Sequence, residues 1–240
     1  MTNYISRAEI EELCEGLIVE YSEHSDKEIT SVDIDGFVKD YLKYKIVYET
    51  IAEDDPDRIG FTGDGNHPLT IRKNGQIKSV VYPPKTIVLD KHLKHKDKDA
   101  MRRFILAHEV GHILSNRIDP DKAACFYHAY SFDNDKIYSI DDLRKRYNID
   151  EINANAFAAA LLMPRFLVER TIKKYNGGRR LPVYGEFVFH PREKTILHKM
   201  ETELKVSHSS LVIRLKELDF LKRHLLSEYI KNDLGYGGDG

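Results

Sequence analysis

The chain has 240 residues, of which 41% are hydrophobic and 32% are charged, a composition that supports a folded core and excludes wholesale disorder. Its 37 Lys and Arg against 39 Asp and Glu give a net charge of -2, so no global polycation is available to bind nucleic acid or anionic lipid. Two cysteines, Cys14 and Cys125, do not make a disulfide framework or a cysteine-based zinc finger. The N-terminus has no signal-peptide pattern and no apolar run approaches the roughly 20 residues that span a bilayer, so we expect a cytoplasmic protein.

Periodic apolar residues in the first half of the chain predict two helices followed by strands. Apolar residues three and four positions apart predict a helix over residues 7–24, and a second helix is expected after Asp33. The pattern then becomes strand-like, and an Asn-Gly pair suits the positive φ angles of a tight hairpin turn. The predicted strands are residues 45–50, a hairpin over 69–82 that turns at Asn74-Gly75, and residues 86–89.

The second half of the chain predicts mainly helices, with an irregular aromatic-rich connection at 116–138 and a short helix after Ser139. The longer predicted helices are residues 98–115, an alanine-rich segment that ends before Pro164, and residues 165–175, 192–205 and 208–231. We therefore expect four parts along the chain. They are N-terminal helices (1–45), a mixed core (46–178), a helical C-terminal region (179–232) and a disordered tail (233–240).

One five-residue motif carries recognisable chemistry. Residues 108–112 read His108-Glu109-Val110-Gly111-His112, which is the HExxH pattern. On a helix the two histidines lie one turn apart on the same face, so both imidazoles can bind one metal ion. Glu109 projects near the same side, where it can meet a water molecule at the metal. The motif lies in a largely apolar segment, which makes a solvated His pair the weaker interpretation.

A catalytic zinc site needs a third protein ligand. The extended motif HExxHxxGxxH is excluded, because Ser115 and Ile118 stand where it requires Gly and His. We favour Glu151 as the third ligand, and Asn155, one helical turn later, as the group that hydrogen-bonds a ligand imidazole. In the competing interpretation Glu151 only interacts with the helix dipole and Asn155 is an ordinary polar residue. The other candidate ligands are Asp119, Asp121, His128, Asp133, Asp135, Asp141, Asp142 and Asp150.

Two longer segments resemble the ImmA/IrrE-type metallopeptidase family. Residues 103–114 (RFILAHEVGHIL) are similar to the family's RFTLAHELGH segment, and residues 151–164 (EINANAFAAALLMP) are similar to its ExxANxFAxxLLMP segment. The upstream order of a helix, a strand near Val47, a strand at Gly60-Phe61 and the strand over 86–89 also fits. The resemblance covers residues 30–220. The long connection between the two segments and the hairpin at Asn74-Gly75 depart from the family pattern and could reshape the substrate groove.

The resemblance implies an α+β fold with a zincin-like metallopeptidase core, in which a small mixed sheet packs on the HExxH helix, with helical N- and C-terminal extensions. It implies Zn²⁺ as cofactor, held by His108, His112 and Glu151. Glu109 is then the general base, which accepts a proton from water and passes it to the leaving amine. The resemblance further implies a bacterial or phage-type endopeptidase whose protein substrate is a helix-turn-helix repressor, so that cleavage switches genes on.

Two other functions stay open on the sequence. Residues 192–220 could form a helix-turn-helix unit of a DNA-binding or protein-binding regulator, although its bases Arg214, Lys216, Lys222 and Arg223 are interleaved with acidic residues, so direct DNA binding is the weaker expectation. The zinc could also be structural or sensory, but such a site gains nothing from Glu109 and tends to bind a fourth protein ligand. Possible oxyanion donors are Tyr127, His128, Tyr130, Tyr138 and His190.

Overall fold

A computed structural model describes residues 5–23, 29–54, 58–118 and 149–233 of the chain. The described residues form a mixed α+β protein with a five-stranded and a two-stranded sheet, which confirms the predicted α+β class. The chain divides into two compact units, residues 1–164 and residues 165–240. The finer division at residues 45 and 178 stays a prediction. The helix expected after Ser139 and the tail beyond Asp233 lie outside the described residues.

The first unit places helices before and after its strands. Its helices are α1 (Arg7–Glu23), the short α2 (Ile34–Gly36), which continues as a π-helical turn over Phe37–Tyr41, α3 (Asp99–Ile118) and α4 (Ile149–Leu162). Its strands are β1 (Lys45–Ile51), β2 (Gly60–Gly63), β3 (Pro68–Lys73), β4 (Gln76–Val81) and β5 (Thr86–Asp90). Two 3₁₀ turns, Lys91–Lys94 and Lys96–Lys98, lead from β5 into α3. The predicted hairpin is confirmed, with Asn74 and Gly75 at φ angles of 54° and 77°.

The five-stranded sheet has the order β2-β5-β1-β3-β4, with β1 and β5 parallel and the other neighbours antiparallel. Residues directly opposite each other in a ladder project to the same face. The pairs Gly60–Leu89 and Thr62–Ile87 therefore share one face, and Ile105 of α3 lies against it at Gly60. The opposite face carries a buried apolar cluster formed by Phe61, Leu69, Ile71, Tyr82 and Val88.

Helices α3 and α4 come closest at Gly111. A Cβ atom on Gly111 would lie 2.7 Å from the carbonyl oxygen of Ala154, 2.8 Å from its Cα and 3.0 Å from the Cβ of Phe157. Ala154 and Ala158 are fully buried, so the alanines of α4 allow its backbone to approach α3. Helix α1 also packs on α4, and the Sγ atom of Cys14 lies 3.9 Å from the carbonyl oxygen of Phe157.

The second unit combines helices with a short parallel strand pair. Its elements are α5 (Arg165–Asn176), β6 (Leu181–Tyr184), α6 (Pro191–Leu204), α7 (His208–Glu217), β7 (Leu221–His224) and α8 (Leu226–Asp233). The parallel pair runs from Leu181 opposite Leu221 to Tyr184 opposite His224. None of the described helices in either unit is long and apolar enough to cross a membrane.

The prediction of one continuous helix over residues 208–231 is wrong. Helix α7 ends at Glu217, and Asp219 follows with a φ angle of 63°, a left-handed conformation that interrupts a right-handed helix. Strand β7 then replaces the expected helical turns. Both β6 and β7 depend on hydrogen bonds to a partner far away in the chain, and local apolar spacing does not report such pairing.

The substitution Gly111→Ala should destabilise the first unit, although alanine favours a helix by about 1 kcal/mol over glycine. The new methyl group would meet backbone atoms of Ala154, which cannot rotate away, and overpacking of this kind costs about 1–3 kcal/mol. Chemical denaturation should therefore give a lower free energy of unfolding. Gly16→Ala in α1 is the matched control, because its Cβ meets nothing within 4 Å. Equal stability of the two variants would contradict the close contact.

Candidate metal centre

Helices α3 and α4 bring His108, His112 and Glu151 into one buried cluster. The Nε2 atoms of the two histidines lie 3.0 Å apart. The Oε2 atom of Glu151 lies 3.2 Å from Nε2 of His108, and its Oε1 atom lies 3.5 Å from Nε2 of His112. The helical spacing of the HExxH motif places the two rings on one face of α3, and the close approach of α4 adds the carboxylate.

Asn155 orients the first histidine of the cluster. Its Oδ1 atom lies 2.9 Å from Nδ1 of His108. Because an amide oxygen only accepts hydrogen bonds, Nδ1 donates the proton, and Nε2 is the nitrogen that faces Glu151 and His112. Asn155 and Glu151 lie one turn apart on α4, so one helix face carries both the carboxylate and the group that fixes the imidazole.

The cluster fits a tetrahedral cation. Ligand atoms about 2.0–2.1 Å from such an ion lie about 3.3–3.4 Å from one another. The two imidazole nitrogens are 3.0 Å apart, and each has one oxygen of Glu151 nearby, Oε2 at 3.2 Å from His108 and Oε1 at 3.5 Å from His112. Both carboxylate oxygens of Glu151 are buried with no hydrogen-bond donor in the described part of the chain. A buried charge without compensation costs several kcal/mol, and a cation among these three side chains would compensate it.

Burial dominates the electrostatics of the cluster. It raises the pKa of Glu109 to about 7, although His108, the Thr62 hydroxyl and Arg58 act in the opposite direction. Burial and the neighbouring His108 hold the pKa of His112 well below its ordinary value. Burial also opposes the charged form of His108, but the contact with Glu151 leaves the pKa of His108 raised. The two imidazoles are therefore not both charged at neutral pH, and at least one ring is available as a neutral ligand.

The carboxylate of Glu109 lies against strand β2. The Thr62 hydroxyl donates a hydrogen bond to Oε2 of Glu109 over 2.7 Å. An ideal Cβ atom on Gly60 would lie 2.6 Å from Oε1 of the same side chain. The sequence patterns predicted no role for either residue. A glycine and a threonine two positions apart share a strand face, but no local pattern connects that face with a helix much later in the chain.

The other residues considered from the sequence do not join this cluster in the described structure. His190 belongs to the second unit, where its ring stacks on Tyr229. Arg214, one of the bases considered for DNA binding, is 1% exposed and lies 3.8 Å from Glu217. Asp150 is described only as a member of α4. The candidates outside the described residues are Asp119, Asp121, Tyr127, His128, Tyr130, Asp133, Asp135, Tyr138, Asp141 and Asp142.

Replacing Asn155 by Ala should weaken metal binding about 10–100-fold, because His108 loses the acceptor that fixes its tautomer and ring orientation. Competition between the protein and a chromophoric chelator for Zn²⁺ measures this affinity. Asn153→Ala is the matched control, since Asn153 is a buried residue of the same helix outside the ligand cluster. Unchanged affinity in Asn155→Ala would show that the amide has no part in the site.

Comparison with known protein families agrees with this geometry. The family model Peptidase_M78, described as an IrrE N-terminal-like domain, matches residues 70–216, which include both helices that carry the cluster. A comparison with curated proteins finds no match. The match covers more than half of the chain and confirms the resemblance to the ImmA/IrrE-type family. The chain therefore belongs to the Peptidase_M78 family of metallopeptidases.

Proposed function

We propose that the chain is a zinc-dependent endopeptidase of the ImmA/IrrE type with a zincin-like core. The observation that carries this proposal is the buried cluster of two imidazole nitrogens and a carboxylate, with Glu109 beside it. Three ligands of these types are a set that catalytic Zn²⁺ sites use, with the fourth position left to water or substrate. Membership of a metallopeptidase family supports the same chemistry.

The residues of the cluster and its neighbours have different roles in the proposed peptide hydrolysis. His108, His112 and Glu151 would hold the zinc ion, and Asn155 keeps the first imidazole in its ligating tautomer. When bound, Zn²⁺ supplies Lewis acidity toward the peptide carbonyl and the attacking water. Glu109 accepts the proton of that water on its carboxylate and passes it to the leaving nitrogen. Its pKa of about 7 suits a group that must both take up and release a proton near neutral pH.

The open edge of β2 supports an extended peptide as substrate. Strand β2 stands at the end of the described sheet and pairs with β5 on one side. The Asp90 N–H donates to the carbonyl of Ile59, so the alternation of an antiparallel ladder directs the backbone groups of Gly60 and Thr62 away from β5. A peptide in extended conformation can add to such an edge through main-chain hydrogen bonds. It would then lie next to Glu109.

The proposed substrate is a helix-turn-helix repressor, whose cleavage in the cytoplasm would switch on gene expression. Support for this part comes from the similarity of residues 103–114 and 151–164 to a family whose known members cleave such repressors. Helices α6 and α7 belong to the second unit, whereas the proposed catalytic residues all belong to the first unit. Docking of a folded repressor on these two helices is compatible with the proposal.

A DNA-binding or protein-binding regulator with a structural or sensory zinc site is the second candidate. Consecutive helices α6 and α7 match the order of elements in a helix-turn-helix unit. However, the burial of Arg214 removes one base from the surface of α7, whereas the apolar Ile213 is 42% exposed there. A structural zinc site would also give the buried Glu109 no role, because such a site needs no general base. These observations favour the peptidase.

After a chelator has removed bound metal, added Zn²⁺ should raise the thermal stability of the protein by binding to the ligand cluster. A ligand that binds only the folded state adds about 2.7 kcal/mol at 100 times its Kd, which corresponds to roughly 5–10 °C in Tm for a protein of this size. Differential scanning fluorimetry with and without Zn²⁺ measures the shift. His108→Ala should abolish it, whereas His198→Ala, which changes an exposed histidine of the second unit, should keep it. An equal shift in both variants would place the zinc elsewhere.

Glu109→Gln should keep zinc and lose cleavage, because the amide cannot accept the proton of the attacking water. We expect kcat/KM to fall at least about 100-fold, the lower end of what a general base contributes. The test is co-expression with helix-turn-helix repressors from the same genome, with the fragments read by mass spectrometry. His108→Ala should lose both zinc and cleavage.

The exposed Glu12→Gln in α1 is the matched control for this charge change and should cleave like the wild type. Full cleavage by Glu109→Gln would contradict its role as the base. Glu109-dependent cleavage of other proteins but of no repressor would retain the peptidase and reject the substrate.

A further inference from the structure

Strand β2 forms the immediate surroundings of the Glu109 carboxylate. Its Thr62 hydroxyl donates to Oε2 of Glu109 over 2.7 Å. A Cβ atom on Gly60 would lie 2.6 Å from Oε1 of Glu109 and 2.9 Å from Cγ2 of Ile105. Because Gly60 and Thr62 are two positions apart, they project to the same face of the strand. One strand face thus binds one carboxylate oxygen and leaves room for the other.

Gly60 is needed for space and not for an unusual backbone conformation. It is not one of the positive-φ glycines of the described chain, unlike Gly65 and Gly75, so alanine could adopt its backbone angles. An added methyl group would instead occupy the position next to Oε1 of Glu109. Since that oxygen is the far end of a flexible side chain, the carboxylate would be displaced while the strand pairing is retained.

Thr62 is well suited to hold the carboxylate in one orientation. Its β-branched side chain has a restricted χ1 angle, so the direction of the hydroxyl follows from the strand. Glu109 is 2% exposed, which leaves little access for water to replace the donor. No other hydrogen bond to this carboxylate is present among the residues that the structure describes.

We propose that Gly60 and Thr62 are positioning residues that fix the Glu109 carboxylate for proton transfer. The proposal rests on the peptidase function above, since it takes Glu109 as the general base. A base must stay within about 2.6–3.2 Å of the proton-bearing atom that it serves, and a free glutamate side chain can rotate out of that range. The hydrogen bond at Oε2 and the space at Oε1 together select one orientation. A misplacement of about 1 Å can lower a rate about 100-fold.

The substitution Thr62→Val removes the hydroxyl and keeps the β-branched shape. For a peptide identified from a proteome-derived library, kcat should fall about 10–100-fold, with KM and zinc content unchanged. Thr62→Ser returns a donor and should recover most of the lost kcat. Thr86→Val makes the same exchange on strand β5, where Thr86 is buried opposite Gly63, and should keep the wild-type kcat.

The substitution Gly60→Ala tests the space at Oε1. It should lower kcat by a similar factor and also leave zinc content unchanged, because it touches none of the three ligands. Both substitutions act through Glu109, so neither should reduce the residual rate further when Glu109 is already Gln. A further loss in the Glu109→Gln background would mean that β2 affects the reaction by another route and would overturn the positioning role.

Crystal structures of the metal-free variants give a readout that does not depend on activity. The Glu109 carboxylate should keep its orientation in Thr62→Ser and rotate away in Thr62→Val and Gly60→Ala. An unchanged orientation in Thr62→Val overturns the proposal even when the wild type cleaves peptides. If the wild type shows no Glu109-dependent cleavage, the peptidase function fails separately. The crystal structures then still decide whether β2 orients Glu109.

Discussion

The carboxylate of Glu151 is held out of water between two imidazoles, and much of the first unit serves to bring it there. Its oxygens have no hydrogen-bond donor among the described residues, and a cation between the imidazoles would compensate their burial. The carboxylate reaches this position because α4 contacts α3 at Gly111, where no side chain separates the helices. The candidate metal centre of this chain therefore depends on a glycine that contributes no ligand itself.

The site combines two carboxylates with different surroundings. Glu151 lies among groups that can share a cation, whereas Glu109, adjacent to a ligand in the sequence, accepts a hydrogen bond from Thr62. Both are buried, so neither is stabilised by bulk water. Their different partners suit the different roles of the proposed peptidase, in which Glu151 would bind the ion and Glu109 would exchange a proton. The sheet thus contacts Glu109 through β2, and the packing of α4 on α3 positions Glu151.

The sequence predicts those parts of the site that are carried by helical spacing. His108 and His112 follow from the i and i+4 positions of one helix, and the Glu151–Asn155 pair follows from the same rule on a second helix. The structure brings these residues together. Their catalytic roles remain predictions that the proposed experiments test. Thr62 was not foreseen, because its contact with Glu109 joins a strand to a helix far along the chain. The strand pair β6–β7 was missed for the same reason, since pairing between distant segments leaves no local period.

Helix α4 is the last element of the first unit along the chain, so it is synthesised after every other element of that unit. His108 and His112 leave the ribosome well before Glu151, so a nascent chain has two of the three ligands until α4 emerges. Helix α1, made first, packs on α4, made last, so its docking also waits for that moment. Completion of the ligand cluster and closure of the unit are then one coupled step. In the proposed peptidase, a chain that ends before Glu151 therefore lacks one of the three ligands and has no complete hydrolytic centre.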